Sequence, residues 1–180
     1  MCGIAGILRE EGRGVDDPDG NAIRMARAMW HRGPDDESTW LSSDRRIVLA
    51  YRRLSILDTS SRCHQPSLSV DGKHVIVYNG EIYNFLELRS DLEREGGRFV
   101  TGTDTEVILA AYKRYGVDCL RRFNGMFAFA IWDAEDRSLF LARDRFGVKP
   151  LLYYWSWRII PVRVGNEGDQ GFRRIATAFS

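Results

Sequence analysis

Two hydrophobic periods divide this chain. Apolar residues at every position or every second one predict strands, and apolar residues three and four apart predict helices. Residues 3–8 (GIAGIL) are a short apolar run and predict a buried strand at the chain start. Residues 9–20 are rich in Gly and Asp and read as loop. Ala22, Ile23, Ala26, Met29 and Trp30 follow helical spacing over 21–31, and His31-Arg32-Gly33-Pro34-Asp35-Asp36 stops that helix, because Gly and Pro do not continue it. Two short aliphatic strands are expected at 47–50 and 53–57. Residues 68–70 and 74–78 flank Asp71-Gly72, a two-residue hairpin signal.

The second half reads as helix, then strand. Asn84 begins a helix with Glu87 as its capping-box partner, Phe85, Leu88 and Leu92 on its buried face, and Gly96-Gly97 at its end. A further helix over 105–115 turns Val107, Ile108, Ala111, Tyr112 and Tyr115 inward, and Gly116 closes it. Residues 117–123 predict a short helical piece, with Cys119 at an apolar helical position. The run MFAFAIW at 126–132 is apolar throughout, as in a strand covered on both faces. A turn at 133–137 leads into a strand at 139–142. The pattern is mixed α and β, and a strand buried on both faces asks for layers above and below it, such as two packed sheets flanked by helices.

Composition narrows the function classes. The 180 residues suit one domain, and 26 Lys+Arg against 25 Asp+Glu leave a net charge of +1. That balance gives no electrostatic reason to expect nucleic acid or an anionic membrane as partner. No apolar run approaches the ~18–20 residues that span a bilayer. The opening segment lacks a basic leader and a cleavage site, which argues against a signal peptide. Three scattered cysteines (Cys2, Cys63, Cys119) argue against a disulfide framework and fit a reducing cytoplasm.

Candidate chemistry starts at Cys2. Removal of Met1 would expose an α-amine with an ordinary pKa of ~7.7–8.0, able to accept the thiol proton near neutral pH. One residue would then hold both nucleophile and base; a buried N-terminal cysteine without a role is the alternative. Asn79-Gly80 follows a strand, so a side-chain amide and the adjacent N–H can converge as an oxyanion hole, or form a simple turn. Arg53 inside an aliphatic strand needs a partner, and its guanidinium matches a carboxylate bidentately. Thr101-Gly102-Thr103-Asp104-Thr105-Glu106 turns into a helix. There Asp104 can receive an ammonium group, or Thr103 or Asp104 can cap the helix. Such a cation and anion suit the two ends of a free amino acid. His31 could be a base, but a structural or loop-gating role is preferred; Arg32, Asp35 and Asp36 read as a closing loop or as salt-bridge partners. Cys63-His64 has no second pair at metal-ligand spacing, so no metal site is expected.

Seven ordered motifs then carry a resemblance over roughly residues 1–155: MCGIAGI, MWHRGPDDE, AYRRLSILD, VYNGEIYNFLELR, GTDTEV, FNGMFAFAIWD and ARDRFGVKPLLYY. They resemble the class II glutamine amidotransferase domain and, within it, the N-terminal half of glutamine-hydrolysing asparagine synthetase. The resemblance implies an α+β fold of N-terminal-nucleophile hydrolase type, a four-layer α-β-β-α sandwich with two stacked antiparallel sheets. It implies Cys2 as nucleophile, Asn79 and Gly80 as oxyanion hole, and Arg53 on the α-carboxylate of glutamine. Glu81 and Asp104 would hold the α-ammonium, and backbone around Leu54, Ile56 and Leu57 would line the pocket. No cofactor is implied for glutamine hydrolysis; ATP and Mg would belong to a synthetase domain. The implied partners are glutamine, a separate synthetase subunit and a second copy of the chain, without nucleic acid or membrane. Asp144-Arg145-Phe146-Gly147 is expected to be architectural.

Two departures from the family are expected to matter. The chain carries no pyrophosphate loop of the SGGxDS type, so the amidotransferase domain over 2–154 stands without a synthetase domain. Residues 155–180 replace a strand and a segment like FASEIKAL, and are expected to be a disordered or frame-altered tail exposing Trp155, Trp157, Ile159 and Ile160. Shifted by one base, codons for Gly168-Asp169-Gln170 can read Glu-Ile-Lys. The rival to an enzyme is a non-catalytic remnant or glutamine-binding subunit; another N-terminal-nucleophile amidase is a third possibility.

Overall fold

The structure is a computed structural model that describes residues 2–9, 16–54, 64–154, 162–166 and 173–174. It contains two sheets. The smaller has three antiparallel strands, β1 (Gly3–Leu8), β2 (Asp36–Leu41) and β3 (Ile47–Arg53), in the order β1-β3-β2. The larger has six: β4 (Ser67–Leu68), β5 (His74–Ile82), β6 (Gly125–Asp133), β7 (Ser138–Arg143), β8 (Val162–Asn166) and β9 (Arg173–Arg174), in sequence order. Its strands are antiparallel except β7 and β8, which pair in parallel with Leu139 opposite Val162.

Alternation along the strands sorts the core into layers. Ile47, Leu49 and Tyr51 of β3 meet Val75, Val77, Ala130 and Trp132 of the large sheet, which forms the core between the sheets. The opposite face of the large sheet presents Ile76, Phe127, Phe129 and Phe140 to helices α2 (Phe85–Arg94) and α3 (Asp104–Tyr115). The outer face of the small sheet presents Val48 to Ala22 and Met25 of helix α1 (Pro18–Ala28). The result is the expected four-layer α-β-β-α sandwich. β6 is central because both its faces are apolar: Phe127 and Phe129 stack 5.6 Å apart toward the helices, while Ala130 and Trp132 face the other sheet.

Several local expectations change. α1 starts at Pro18 rather than at 21, because Asp17 caps it by accepting from Gly20 N (3.2 Å) and Pro18 takes the first turn, where a missing N–H costs nothing. The strands expected at 47–50 and 53–57 become one strand ending at Arg53; residues 55–63, including Ile56, Leu57 and Cys63, lie outside the described residues, as do 155–161. The Asp71-Gly72 hairpin joins β4 to β5 through residues 69–73 rather than a two-residue loop. Gly72 takes the left-handed φ (70°), and Ser69 Oγ and Asp71 close the turn with their own hydrogen bonds. Asn84 sits at the N-cap of α2 without capping it: its Nδ2 donates to Arg122 O (2.9 Å) and its Oδ1 accepts from Asn124 N (2.9 Å). Tertiary partners thus replace the predicted capping box. β1 is an edge strand, so it is only half-buried.

The turn after β7 is built on one carboxylate. Asp144 is buried and accepts from the backbone N–H groups of Phe127, Phe146, Val148 and Lys149 at 2.9–3.2 Å. Burial pushes its carboxyl up, and the four N–H groups outweigh that, leaving Asp144 below the ordinary carboxylate range. Its stabilising effect is therefore complete above the unfolded value of ~3.9 and is lost as pH falls through the lower folded value. Asp144→Ala should lower stability by about 2–4 kcal/mol in urea unfolding, since several buried donors lose their acceptor. The gap between parent and Asp144→Asn should begin to narrow below about pH 4 and close only as pH falls past the lower folded value.

Candidate active site

β3 brings three consecutive residues to the site. Tyr51 and Arg53 lie on its inward face, continuing Ile47 and Leu49, and Arg52 points the other way. Gly3 pairs with Arg52, so extending the register by one residue sets Cys2 opposite Arg53, on the same inward face as Ile4. Cys2 is a half-buried free thiol packed against the inter-sheet core. The buried Tyr51 hydroxyl donates to its Sγ at 3.0 Å. Arg53 is buried at the end of β3, and Leu54 follows it half-buried.

Arg52 holds the neighbouring turn. Its Nε donates to Gly33 O (2.7 Å) and its Nη1 to Glu37 Oε2 (2.7 Å). A Cβ on Gly33 would lie 2.6–2.7 Å from the backbone of Arg52 and Arg53, so only glycine lets this turn pack on the strand end. The 3-10 helix Trp30–Arg32 that precedes it leaves His31 exposed. Asp36 pairs with His64 Nδ1 at 3.0 Å. No cluster of three or more metal-ligating side chains occurs among the described residues.

The large sheet supplies the other half. In β5, Val75 and Val77 face the inter-sheet core, so Asn79 and Glu81 continue that face, and β1 lies against β5. Asn79 is buried and Glu81 exposed. Gly80 lies so close to β6 that a Cβ would meet Met126 O at 2.2 Å and Phe127 Cα at 2.6 Å; at Gly125 a Cβ would meet Glu81 O at 2.2 Å. Two glycines thus let β5 and β6 approach at the site end of the sheet.

Asp104 opens α3 and reaches the end of β5 from the helical side. Its Oδ2 accepts from Tyr78 OH (2.7 Å) and Ile82 N (3.2 Å). Burial, and then the Asp104 carboxylate, push the Tyr78 phenol far above its ordinary value, so it stays a donor. The helix cap itself is Thr103, whose side chain accepts from Glu106 N (3.4 Å), while the Glu106 carboxylate accepts from Val100 N and Thr101 N. Asp104 is therefore spared the capping role.

Cys2, Arg53, Asn79 and Glu81 all sit on faces turned toward the space between the sheets, with Asp104 at the end of β5. Tyr51, Arg52, Tyr78 and Gly125 are site neighbours that sequence reasoning did not single out. Tyr51 stands two residues before Arg53, a spacing that becomes a signal only once 47–53 is known to be one strand. Chemically, the arrangement offers a thiol, a buried cation, a side-chain amide and two carboxylates.

The family model described as glutamine amidotransferase domain matches residues 1–167. A putative glutamine-hydrolysing asparagine synthetase 2 from Methanocaldococcus jannaschii is 46% identical over 174 residues, covering 87% of this chain and 32% of that protein. Asparagine synthetase 1 from Bacillus subtilis is 40% identical over 154 residues, covering 85% of this chain and 24% of that protein. The chain thus spans about a quarter to a third of the length of these relatives. Among solved structures, glutamine phosphoribosylpyrophosphate amidotransferase from B. subtilis superposes with a TM-score of 0.65 at 19% identity, over 83% of this chain and 38% of that one. That likeness is one of fold. No helix among the described residues is long and apolar enough to cross a membrane.

Proposed function

The chain belongs to the glutamine amidotransferase domain family, and from that membership we propose that it hydrolyses glutamine to glutamate and ammonia at Cys2, as the glutaminase part of an asparagine-synthetase-type system. The observation that carries the proposal is the contact of the Tyr51 hydroxyl with Cys2 Sγ at 3.0 Å, on the strand that ends two residues later in the buried Arg53. It sets a nucleophile beside a cation suited to the α-carboxylate of the same substrate.

The reaction follows from the groups present. Loss of Met1 frees the Cys2 α-amine, which takes the thiol proton through a water molecule. The sulfur attacks the carboxamide carbon of glutamine, and the oxyanion is stabilised by the Asn79 amide and the Gly80 N–H, each worth about 2.7–4 kcal/mol in comparable sites. The C–N bond breaks as the leaving nitrogen is protonated, and ammonia departs. Water then cleaves the γ-glutamyl thioester, releasing glutamate and restoring the thiol. Arg53 fixes the α-carboxylate, Glu81 and Asp104 attract the α-ammonium, and backbone at Leu54 lines the pocket. No step requires a metal or an organic cofactor. The ammonia is consumed by a synthetase portion, which amidates aspartate.

The test is glutamate release by the purified chain, together with intact mass before and after a glutamine-analogue electrophile. Turnover, and one adduct on Cys2 of a chain lacking Met1, are expected; neither turnover nor adduct would mean a non-catalytic remnant. Arg53→Lys keeps the charge and loses the bidentate fork. It should raise KM for glutamine about 10- to 100-fold, the scale of a lost charge-assisted hydrogen bond, with a smaller change in kcat.

A further inference from the structure

We propose that Tyr51 is a positioning residue for the nucleophile: its hydroxyl holds Cys2 Sγ in the attacking rotamer and stabilises the thiolate as it forms. The inference rests on the assignment of Cys2 as nucleophile. Cys2 precedes β1 and is only half-buried, so strand pairing alone does not fix its side chain, which has three staggered wells available. Tyr51 is the opposite case. It lies in β3, the middle strand of its sheet, with Ile4 paired on one side and Ser38 on the other. Its ring is buried in the inter-sheet core at 4% exposure. A rigid donor therefore addresses a loosely held acceptor at 3.0 Å.

The bond is made to the reacting atom itself. An O–H donor to a neutral thiol is a weak interaction; the same donor to a thiolate is charge-assisted and roughly twice as strong as a neutral pair. Tyr51 thus favours the form of Cys2 that attacks, without taking its proton. Because Arg53 follows two residues later on the same face, one stiff strand also sets the spacing between the attacking sulfur and the carboxylate anchor.

The test compares parent, Tyr51→Phe and Cys2→Ala, each confirmed by intact mass to have the same N-terminus. Tyr51→Phe keeps the ring and removes one oxygen. It is expected to lower kcat about tenfold with KM for glutamine unchanged, and to slow iodoacetamide alkylation of the Cys2 peptide by a similar factor. The alkylation rate is read without turnover, so it reports on Tyr51 even if hydrolysis is slow. A kcat and an alkylation rate within twofold of the parent would overturn the proposal, as would a rise in KM at constant kcat, which would make Tyr51 a substrate contact. Cys2→Ala separates the two levels. If it still hydrolyses glutamine, the nucleophile assignment fails and the Tyr51 role with it; if it is inactive while Tyr51→Phe matches the parent, only the Tyr51 role fails.

Discussion

Cys2→Ala is expected to reduce glutamine hydrolysis by on the order of 10⁴-fold or more, to near background, while leaving the fold and glutamine binding intact. The size of the effect follows from the nucleophile role proposed for Cys2; removing a nucleophile from a preorganised site typically removes most of its rate acceleration. The selectivity follows from position. Cys2 stands before β1, half-buried, and accepts a hydrogen bond from the Tyr51 hydroxyl. Deleting one sulfur there disturbs no strand pair. Isothermal titration with glutamine should give a Kd close to the KM-derived value of the parent, and urea unfolding should move little. Hydrolysis equal to that of the parent would remove Cys2 from the mechanism.

The second large effect is expected at Gly80. Alanine adds a single carbon, but that carbon would lie 2.2 Å from Met126 O and 2.6 Å from Phe127 Cα, both backbone atoms of the central strand. No side-chain rotation relieves such contacts, so β5 and β6 must separate locally. Gly80 pairs with Phe127, one of the fully buried aromatics, so separation also loosens the helix-facing core. Gly80→Ala should destabilise the protein by about 3–4 kcal/mol and abolish measurable turnover, because the Asn79 amide and the residue-80 N–H move together. Denaturant unfolding and the glutaminase assay together check this. A variant as stable as the parent would show that β5 can shift without cost.

These expectations indicate which features of the chain could be read from sequence. Strand β6 could be identified because its seven apolar residues need cover on both faces, whatever supplies it. The end of α2 at Gly96-Gly97 was equally plain, and the cap of α3 was narrowed to Thr103 or Asp104, since both depend on neighbours along the chain. Asn84 misled, because its amide finds Arg122 O and Asn124 N, nearly 40 residues away, and no local rule weighs such partners. Asp17-Pro18 misled in the opposite direction: a composition that reads as loop is here a helix start. Cys2, Arg53, Asn79, Gly80, Glu81 and Asp104 could be named from motifs as candidates. Their faces could not be assigned, because a two-residue period fixes only relative orientation until a partner sheet is placed. Tyr51 and Arg52 were overlooked for that reason. The bond from one to Cys2 and the clamp of the other on Gly33 both cross between segments.

The three residues Tyr51, Arg52 and Arg53 impose different evolutionary constraints on length and on chemistry. Inward and outward duties alternate with no spare position between them: the sulfur contact, then the turn clamp, then the buried arginine proposed as carboxylate anchor. Conservative exchanges within the triplet alter one duty at a time. A single inserted or deleted codon between Leu49 and Arg52 would instead turn the outward arginine in and the inward one out, exchanging anchor and clamp while preserving the charge of both. Descent through this segment is therefore expected to proceed by substitution, with gaps confined to the turns on either side of it.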